Sequence, residues 1–396
     1  MARRTLSPEI PAITISRRGA QRLKDGHVWV YRSDVISADG IPPGSLVAVT
    51  DERRKFLGTA FYSSASQIAI RLLSREPVED LETLLRMRIR EATAYREQVV
   101  RNTDAYRLVF SEADFLPGLI VDRYNDLLSL QILTQAMDAE SVRAVILSEL
   151  SSLKPAAIIE RVDPKIRELE QLPARASAVL QGEKTSTIFS MQGVKFHFDA
   201  LEGQKTGAFL DQRENYAVAA QYAHGEALDV FCYQGGFALH LAERCSKVTG
   251  VDSSRSVLEV ADQNAALNGR EIEWMEANAF DLLRDYAAAG QQYDTIVLDP
   301  PAFAKSKKTL DTALRGYKEL NLRALKMLRP GGILVSCSCS YHVSQADFLG
   351  VIAEAGRDVH RNLRLLENRP QAKDHPILLN VPETAYLKCA ILHVSH

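Results

Sequence analysis

Over about its last 200 residues the chain alternates between two kinds of segment. Apolar runs rich in Val, Ile and Leu ("ALDVFCY", "KVTGVD", "DTIVLD", "GILVSCS") are each followed by a stretch patterned as a helix ("FALHLAERC", "SVLEVADQNAALNG", "ALRGYKELNLRALKML", "QADFLGVIAEAG"). Strands that are apolar throughout are buried on both faces, so helices must cover both sides of one parallel sheet. "IEWMEA" with "DLLRDYAAAG", then "LRLLENR" and "AYLKCAILHV", complete the series. The prediction is an α/β, doubly wound, Rossmann-like sheet over 191–396. Ligands of such sheets bind beyond the carboxyl ends of the strands. The segments that fall there are "CYQGG", "VDSS", "ANAF", "DPPAF" and "SCSCS".

Two smaller domains are expected ahead of it. Residues 1–75 read as about five short strands separated by Gly/Pro/Asp turns such as "ADGIPPG", a small β-barrel. Residues 76–190 combine an amphipathic helix ("LETLLRMRIREATAYREQVV") with a meander of strands, an α+β middle domain. Residues 1–75 hold twelve Lys/Arg against six Asp/Glu, a surplus of +6, which leaves the rest of the chain at −8 within a total of −2. A basic module on an acidic body suits polyanion binding, although a solvated surface gives the same asymmetry. Arg18, Arg22 and Lys24, interleaved with Trp29 and Tyr31, pair cations with stacking rings as RNA contacts do. Barrel core is the other use of such aromatics.

The composition narrows the setting. No apolar run approaches the roughly 20 residues of a membrane span, and "MARRTLSPEIPAIT" lacks the apolar core of a secretory signal. Five scattered cysteines, an odd number, suit free thiols in a reducing cytoplasm.

The strand ends assemble a nucleotide-like pocket. Asp229 lies on the first strand of the series and precedes a Gly235-Gly236 turn, whose glycines admit close backbone approach. The turn is not G-x-G-x-x-G, so no pyrophosphate cradle is present. Asp252 ends the second strand, where a carboxylate accepts ribose hydroxyls. Asn278 and Ala279 end the third, where an amide meets an adenine edge. Phe231, Tyr233, Ser253 and Pro300 fall in the same turns. Ribose and adenine sites without a phosphate cradle point to S-adenosylmethionine (SAM) as cofactor rather than NAD.

The fourth strand ends in Asp299-Pro300-Pro301, whose prolines hold the carboxylate in one place. Methylation of an exocyclic amine needs little beyond such a carboxylate. Carbon 5 of cytosine is barely nucleophilic and needs a thiolate to add at C6 first, with a carboxyl near N3 as charge develops. Strand five ends in "LVSCSCS". Cys339, where the strand runs out into the cleft, is the expected nucleophile. Cys337, further back in the apolar run, is expected to be packing and is held in reserve. Cys337, Cys339 and His342 lack the further ligands of a zinc site, so no metal is expected.

With these motifs the chain resembles the RlmI (YccW) family of large-subunit 23S rRNA cytosine-C5 methyltransferases. The likeness runs from "HVWVYRSDV" through "EADFLPGLIVDRY", "GQKTGAFLDQREN", "DVFCYQGGFA", "LDPPAFAKSK", "RGYKELN" and "SCS" to "KDHPILLNVPETAYLK". It implies a PUA-type RNA-binding barrel, a middle domain and a class I SAM-dependent catalytic domain. It also implies Cys339 as nucleophile with Asp299 at the base, and it adds Lys205, Phe209, Asp211 and Arg213 to the cofactor pocket. Ribosomal RNA as partner and a homodimer are further expectations. Most RNA cytosine-C5 enzymes carry a second cysteine after the proline of this motif; here Ala302 stands there, leaving Asp299, Asp374 and His375 as candidates for removing the C5 proton.

A paired cytosine hides C6, so the base must be unpaired or flipped. Pro301 and Phe303 beside the pocket, with Lys305 and Lys307 after it, are the expected substrate contacts there. The competing readings are a guanine- or exocyclic-nitrogen methyltransferase on the same fold, which needs no thiol, and a non-catalytic RNA-binding assembly protein.

Overall fold

The computed structural model describes residues 10–201, 208–304 and 307–396. The N-terminal domain is a six-stranded sheet of β1 (Ala12–Ile15), β2 (Trp29–Tyr31), β3 (Val35–Ser37), β4 (Leu46–Thr50), β5 (Phe56–Tyr62) and β6 (Ile68–Ser74). The order is β2-β6-β5-β4-β1-β3. A 3-10 turn, Arg32–Asp34, joins its two outer strands. Ile13, Val30, Val47, Val49 and Ile70 fill the core. Between β1 and β2, where only strands and turns were expected, lies α1 (Arg17–Lys24). Ser16 starts it by accepting a hydrogen bond from the Gly19 N–H, and Gly19, Ala20 and Leu23 form its buried stripe.

The middle domain begins with α2 (Leu81–Val99), capped by Asp80, which accepts from the Thr83 N–H. Its sheet of β7 (Ala105–Phe110), β8 (Leu119–Tyr124), β9 (Leu127–Ile132), β10 (Ala157–Glu160) and β11 (Ala178–Gly182) runs in the order β11-β10-β9-β8-β7. The helices α3 (Glu140–Ser152) and α4 (Pro164–Leu169) complete it. Next comes a hairpin, β12 (Ser186–Met191) and β13 (Val194–Asp199), turning on Gln192-Gly193 with both residues at positive φ. The border expected at 190 therefore falls inside a strand. Phe189, Phe196 and Phe198 of the hairpin pack with Tyr216, Phe237 and Val335 of the large α/β unit. The same core takes in Ala105, Tyr124, Leu127 and Ile159 of the middle sheet. Tyr124 stacks on Phe198 with ring centroids 3.9 Å apart, and each such buried ring contributes roughly 1.5–3 kcal/mol.

The third domain carries α5 (Arg213–Tyr222), then β14 (Glu226–Val230), α6 (Gly236–Leu241), β15 (Lys247–Asp252), α7 (Arg255–Leu267), β16 (Glu273–Glu276), α8 (Ala279–Ala288) and β17 (Tyr293–Leu298). After these follow α9 (Leu310–Met327), β18 (Leu328–Ser338), α10 (Gln345–Asp358), β19 (Asn362–Arg369) and β20 (Lys388–Ser395). The sheet order is β16-β15-β14-β17-β18-β20-β19. It is not wholly parallel, as expected from the alternation, because β20 runs antiparallel between β18 and β19. The connection from β19 to β20 carries no α-helix, and without a crossover helix the chain returns antiparallel.

That connection, residues 370–387, ties the domains together. Val381 joins the N-terminal core, Glu383 pairs with His27 at 3.0 Å, and Asn380 Nδ2 donates to the Gly26 carbonyl. Among the described residues no helix is long and apolar enough to cross a membrane.

Candidate active site

A cavity of about 510 Å3 opens at the carboxyl ends of β14, β15, β17 and β18, within the size range of small-molecule sites. Its wall after β14 is strained. Phe231 and Tyr233 hold positive φ of 68° and 49°, conformations that cost on the order of 1–3 kcal/mol each in non-glycine residues. Gly235, at φ 85°, then opens α6. A Cβ on Gly236 would lie 2.4 Å from the Tyr216 ring, so only glycine fits. Asp252 is pinned by the chain around it: one oxygen accepts from the Tyr233 N–H at 3.1 Å, the other from the Ser254 N–H at 3.0 Å. A carboxylate held in this way keeps lone pairs for a diol, and Phe209 and Tyr233, in edge contact at 4.8 Å, supply aromatic walls. The residues present fit an adenosyl group.

The other wall carries Asp299 and Cys339. Asp299 is half-buried at the cavity wall and accepts from Gln212 Nε2 at 3.1 Å; desolvation, with the charge of Asp211 beside it, pushes its carboxyl up to about 7. Cys339 follows β18 directly, and its thiol points at the Pro300 carbonyl, 3.9 Å away. Burial pushes that thiol up to about 12, with Asp299 and Asp211 adding to the shift. The serines around it have structural work. The Tyr317 hydroxyl, from "RGYKELN", takes a hydrogen bond from Ser338 Oγ and shares one with Ser340 Oγ, both at 2.9 Å. Ser340 Oγ in turn accepts from the N–H groups of Phe303 and Ala304. One tyrosine thus locks the loop after β17 to the loop after β18, and so fixes Cys339 relative to Asp299.

Of the residues expected here, Phe209, Asp211, Phe231, Tyr233, Gly236, Asp252, Ser253, Asp299, Pro300, Pro301 and Cys339 line the cavity. Others do not. Arg213 is wholly buried in a bidentate pair with Asp374, at 2.9 and 3.0 Å, so it serves the domain junction rather than the pocket. Asp229 lies beneath the floor, accepting from the Ala238 N–H at 2.9 Å, and burial pushes it up to about 8. Gly235 shapes the turn without facing the cavity. Asn278 Oδ1 is used as the cap of α8, accepting from Phe280 and Asp281, and Ala279 is buried in the helix–sheet core. Phe303 packs between Phe280 and Tyr317 instead of presenting a free face. Cys337 is buried opposite Cys389 on β20.

Asp374 and His375 also stand away from the cavity. Asp374 receives the Arg107 N–H as well as Arg213, while its own carbonyl accepts from Arg96. Against burial, which alone would raise it, His375 and Arg213 hold the Asp374 carboxyl well below the usual range. His375 packs its ring against Phe110.

In the N-terminal domain, Arg18 and Arg22 both reach the buried Asp34, at 2.6 and 3.4 Å. Arg22 also lies over the Tyr31 ring, Trp29 donates to Glu112 of the middle domain, and Lys24 is exposed. Lys205 and Lys305 lie outside the described residues, and Lys307 opens a 3-10 turn.

Several lining residues were not expected: Gln212, Tyr216, Cys232, Phe237, Ser254, Val257, Tyr386 and Leu387. Tyr386 donates to Asp211 Oδ2 at 2.6 Å. Asp211 Oδ1 is buried with no partner among the described residues. Tyr386 arrives from "ETAYLK", whose only sequence signal was a polar segment heading an apolar strand.

Two family models match the chain: a PUA-like domain over residues 13–75 and an S-adenosylmethionine-dependent methyltransferase over residues 127–390. The Ribosomal RNA large subunit methyltransferase I of Tolumonas auensis is 39% identical over 375 residues, covering 91% of this chain and 94% of its own. That of Shewanella denitrificans is 37% identical over 385 residues, covering 94% and 96%. A solved SAM-dependent methyltransferase from Streptococcus mutans superimposes with a TM-score of 0.83 at 19% identity, over 97% of this chain and all of that one. A methyltransferase solved with SAH gives 0.84 at the same identity and coverage. Likeness at that identity attests the fold.

Fold, cavity and family match define a SAM-dependent methyltransferase with a PUA-like domain at its N-terminal end. The chain belongs to the ribosomal RNA large subunit methyltransferase I family.

Proposed function

We propose that this protein methylates carbon 5 of a cytosine in large-subunit ribosomal RNA through a covalent Cys339–C6 intermediate. The relatives' printed names support the ribosomal RNA substrate. The observation that carries the C5 chemistry is Cys339, a cavity-lining thiol on the same wall as Asp299 and one cavity across from Asp252. SAM supplies an electrophilic methyl group. Asp252 holds its ribose, and Phe209, Tyr233 and Gly236 enclose the rest.

The sulfur of Cys339 adds to C6 of the unpaired base, and the ring electrons move toward N3. Asp299, which burial keeps protonated to about pH 7, holds a proton at that nitrogen and so offsets the charge that develops there. C5 becomes nucleophilic as an enamine carbon. After methylation the C5 proton leaves to water, because Ala302 supplies no thiol, and the electron pair of the C6–S bond returns to sulfur. Exposed cations such as Lys24 contribute contacts to flanking phosphates, so binding weakens steeply with salt.

Incubation with SAM and RNA containing 5-fluorocytidine tests this. The wild type is expected to form an adduct stable to denaturation, and Cys339→Ser none. Methylation of a guanine or an exocyclic nitrogen by the Cys339→Ser protein would sink the proposal in favour of the thiol-free reading.

A further inference from the structure

Lys388 is the first residue of β20 and lies in register opposite Ser338, one residue before the nucleophile. Its side chain is buried, and Nζ donates to two carbonyls, that of Ser340 at 2.7 Å and that of Tyr386 at 2.9 Å. Among the described residues no carboxylate pairs with it. A buried ammonium without a counter-anion is costly, and carbonyl dipoles offset only part of that cost. Chains retain such a group where an anion forms during function.

The anion is close at hand. Ser340 is the residue after Cys339, so one hydrogen bond from Nζ anchors the peptide segment that presents the thiol. The charged and titratable groups facing Cys339 are Asp299 at the end of β17, Asp211 ahead of α5, Lys388 on β20 and the Tyr317 hydroxyl on α9. Both carboxylates disfavour a sulfur anion, and Lys388 is the cation that opposes them. Conversely, burial draws the Lys388 amine down to about 8, and Cys339 is the charge that favours its protonated form.

We propose that Lys388 is the positioning residue of the nucleophile, its ammonium stabilising Cys339 as a thiolate while its hydrogen bond to Ser340 fixes the loop that carries the sulfur. This rests on the reading of Cys339 as nucleophile. When Cys339 ionises, its proton leaves to bulk water and the electron pair stays on sulfur, where it forms the bond to C6. Below about pH 8 Lys388 keeps its own proton through the step. The same fixed charge receives the sulfur when the C6–S bond breaks, so both bond formation and departure are eased.

The test is the rate at which iodoacetamide alkylates Cys339 in the full-length protein between pH 6 and 10, with the adduct located by mass spectrometry and Cys339→Ser as blank. Lys388→Gln keeps N–H donors for the two carbonyls and removes the charge, and Lys388→Arg keeps the charge. One pKa unit is a tenfold change in thiolate, so Lys388→Gln is expected to slow alkylation at pH 8 about tenfold or more and to displace its pH profile upward. Lys388→Arg is expected to stay within about threefold of wild type, and both are expected to bind SAM as the wild type does. Wild-type alkylation by Lys388→Gln at every pH, or loss of SAM binding in Lys388→Arg, would overturn the proposal. Alkylation needs neither RNA nor methyl transfer. A wild type that alkylates as described yet makes no 5-methylcytosine therefore contradicts the proposed reaction and leaves the lysine's effect on the thiol standing.

Discussion

Asp374 is a fully buried carboxyl and Asp299 a half-buried one at the cavity wall, and they behave in opposite ways. Asp374 meets Arg213 in a bidentate pair, with the Arg107 amide added, and is held ionised well below the usual range. Asp299 meets one glutamine amide and the like charge of Asp211, and is pushed up to about 7. Desolvation raises both, so the partners decide. A buried acid with its charge matched binds domains together, and one left unmatched beside a cavity is available for proton chemistry.

Replacing each acid by its amide breaks or sharpens this contrast. Asp299→Asn is expected to lower turnover by roughly 10²–10⁴, the share usually carried by a positioned acid, while SAM binding persists. Its stability should move the other way. The folded carboxyl titrates near 7 and the unfolded one near 4, so the wild type loses up to about 1.4 kcal/mol per pH unit as pH rises between those values. The amide escapes that loss. Thermal melts from pH 4 to 8 are expected to show Asp299→Asn gaining on wild type up to about pH 7 and holding level above it; a mutant melting lower than wild type at pH 8 would refute the assignment.

Asp374→Asn has the reverse sign. It removes one partner of a buried pair and leaves Arg213 uncompensated, a loss of about 3–5 kcal/mol, read as a lower melting temperature at pH 7. The depressed carboxyl contributes its stability above about pH 4 and loses it as the solution is acidified below that, so the deficit should shrink toward acid. Equal melting of mutant and wild type at neutral pH would end the contrast.

The smallest effect is expected from Tyr317→Phe. It deletes the hydroxyl shared by Ser338 and Ser340, about 1 kcal/mol for each hydrogen bond. Adduct formation should slow about tenfold as the Cys339 loop loosens, with SAM affinity unchanged by calorimetry.

What could be read from the sequence was local. Asp252, Asp299 and Cys339 each end an apolar run, and a strand followed by a turn places such a residue at the sheet's carboxyl edge whatever else the chain does. What escaped depends on distant partners. Arg213 sits in a motif that reads as a ligand shell, yet Asp374, 161 residues further on, claims it. Arg18 and Arg22 read as free cations until the fold brings Asp34 between them. The helix α1 hid because its buried stripe is Gly19, Ala20 and Leu23, too little apolar surface to announce a period. Tyr386 and Lys388 reach the site only because β20 inserts between two earlier strands, a choice of neighbour that no local pattern encodes.

The segment joining β19 to β20 has a consequence for biosynthesis. Glu383 clasps His27 across 356 positions, and Lys388, just beyond that segment, reaches the loop that carries Cys339. During translation, the first domain and most of the large sheet can emerge and gain their own hydrogen bonds. A nascent chain halted short of residue 383 would hold neither the clasp nor Lys388. A chain truncated before that stretch is therefore expected to form no adduct with 5-fluorocytidine RNA.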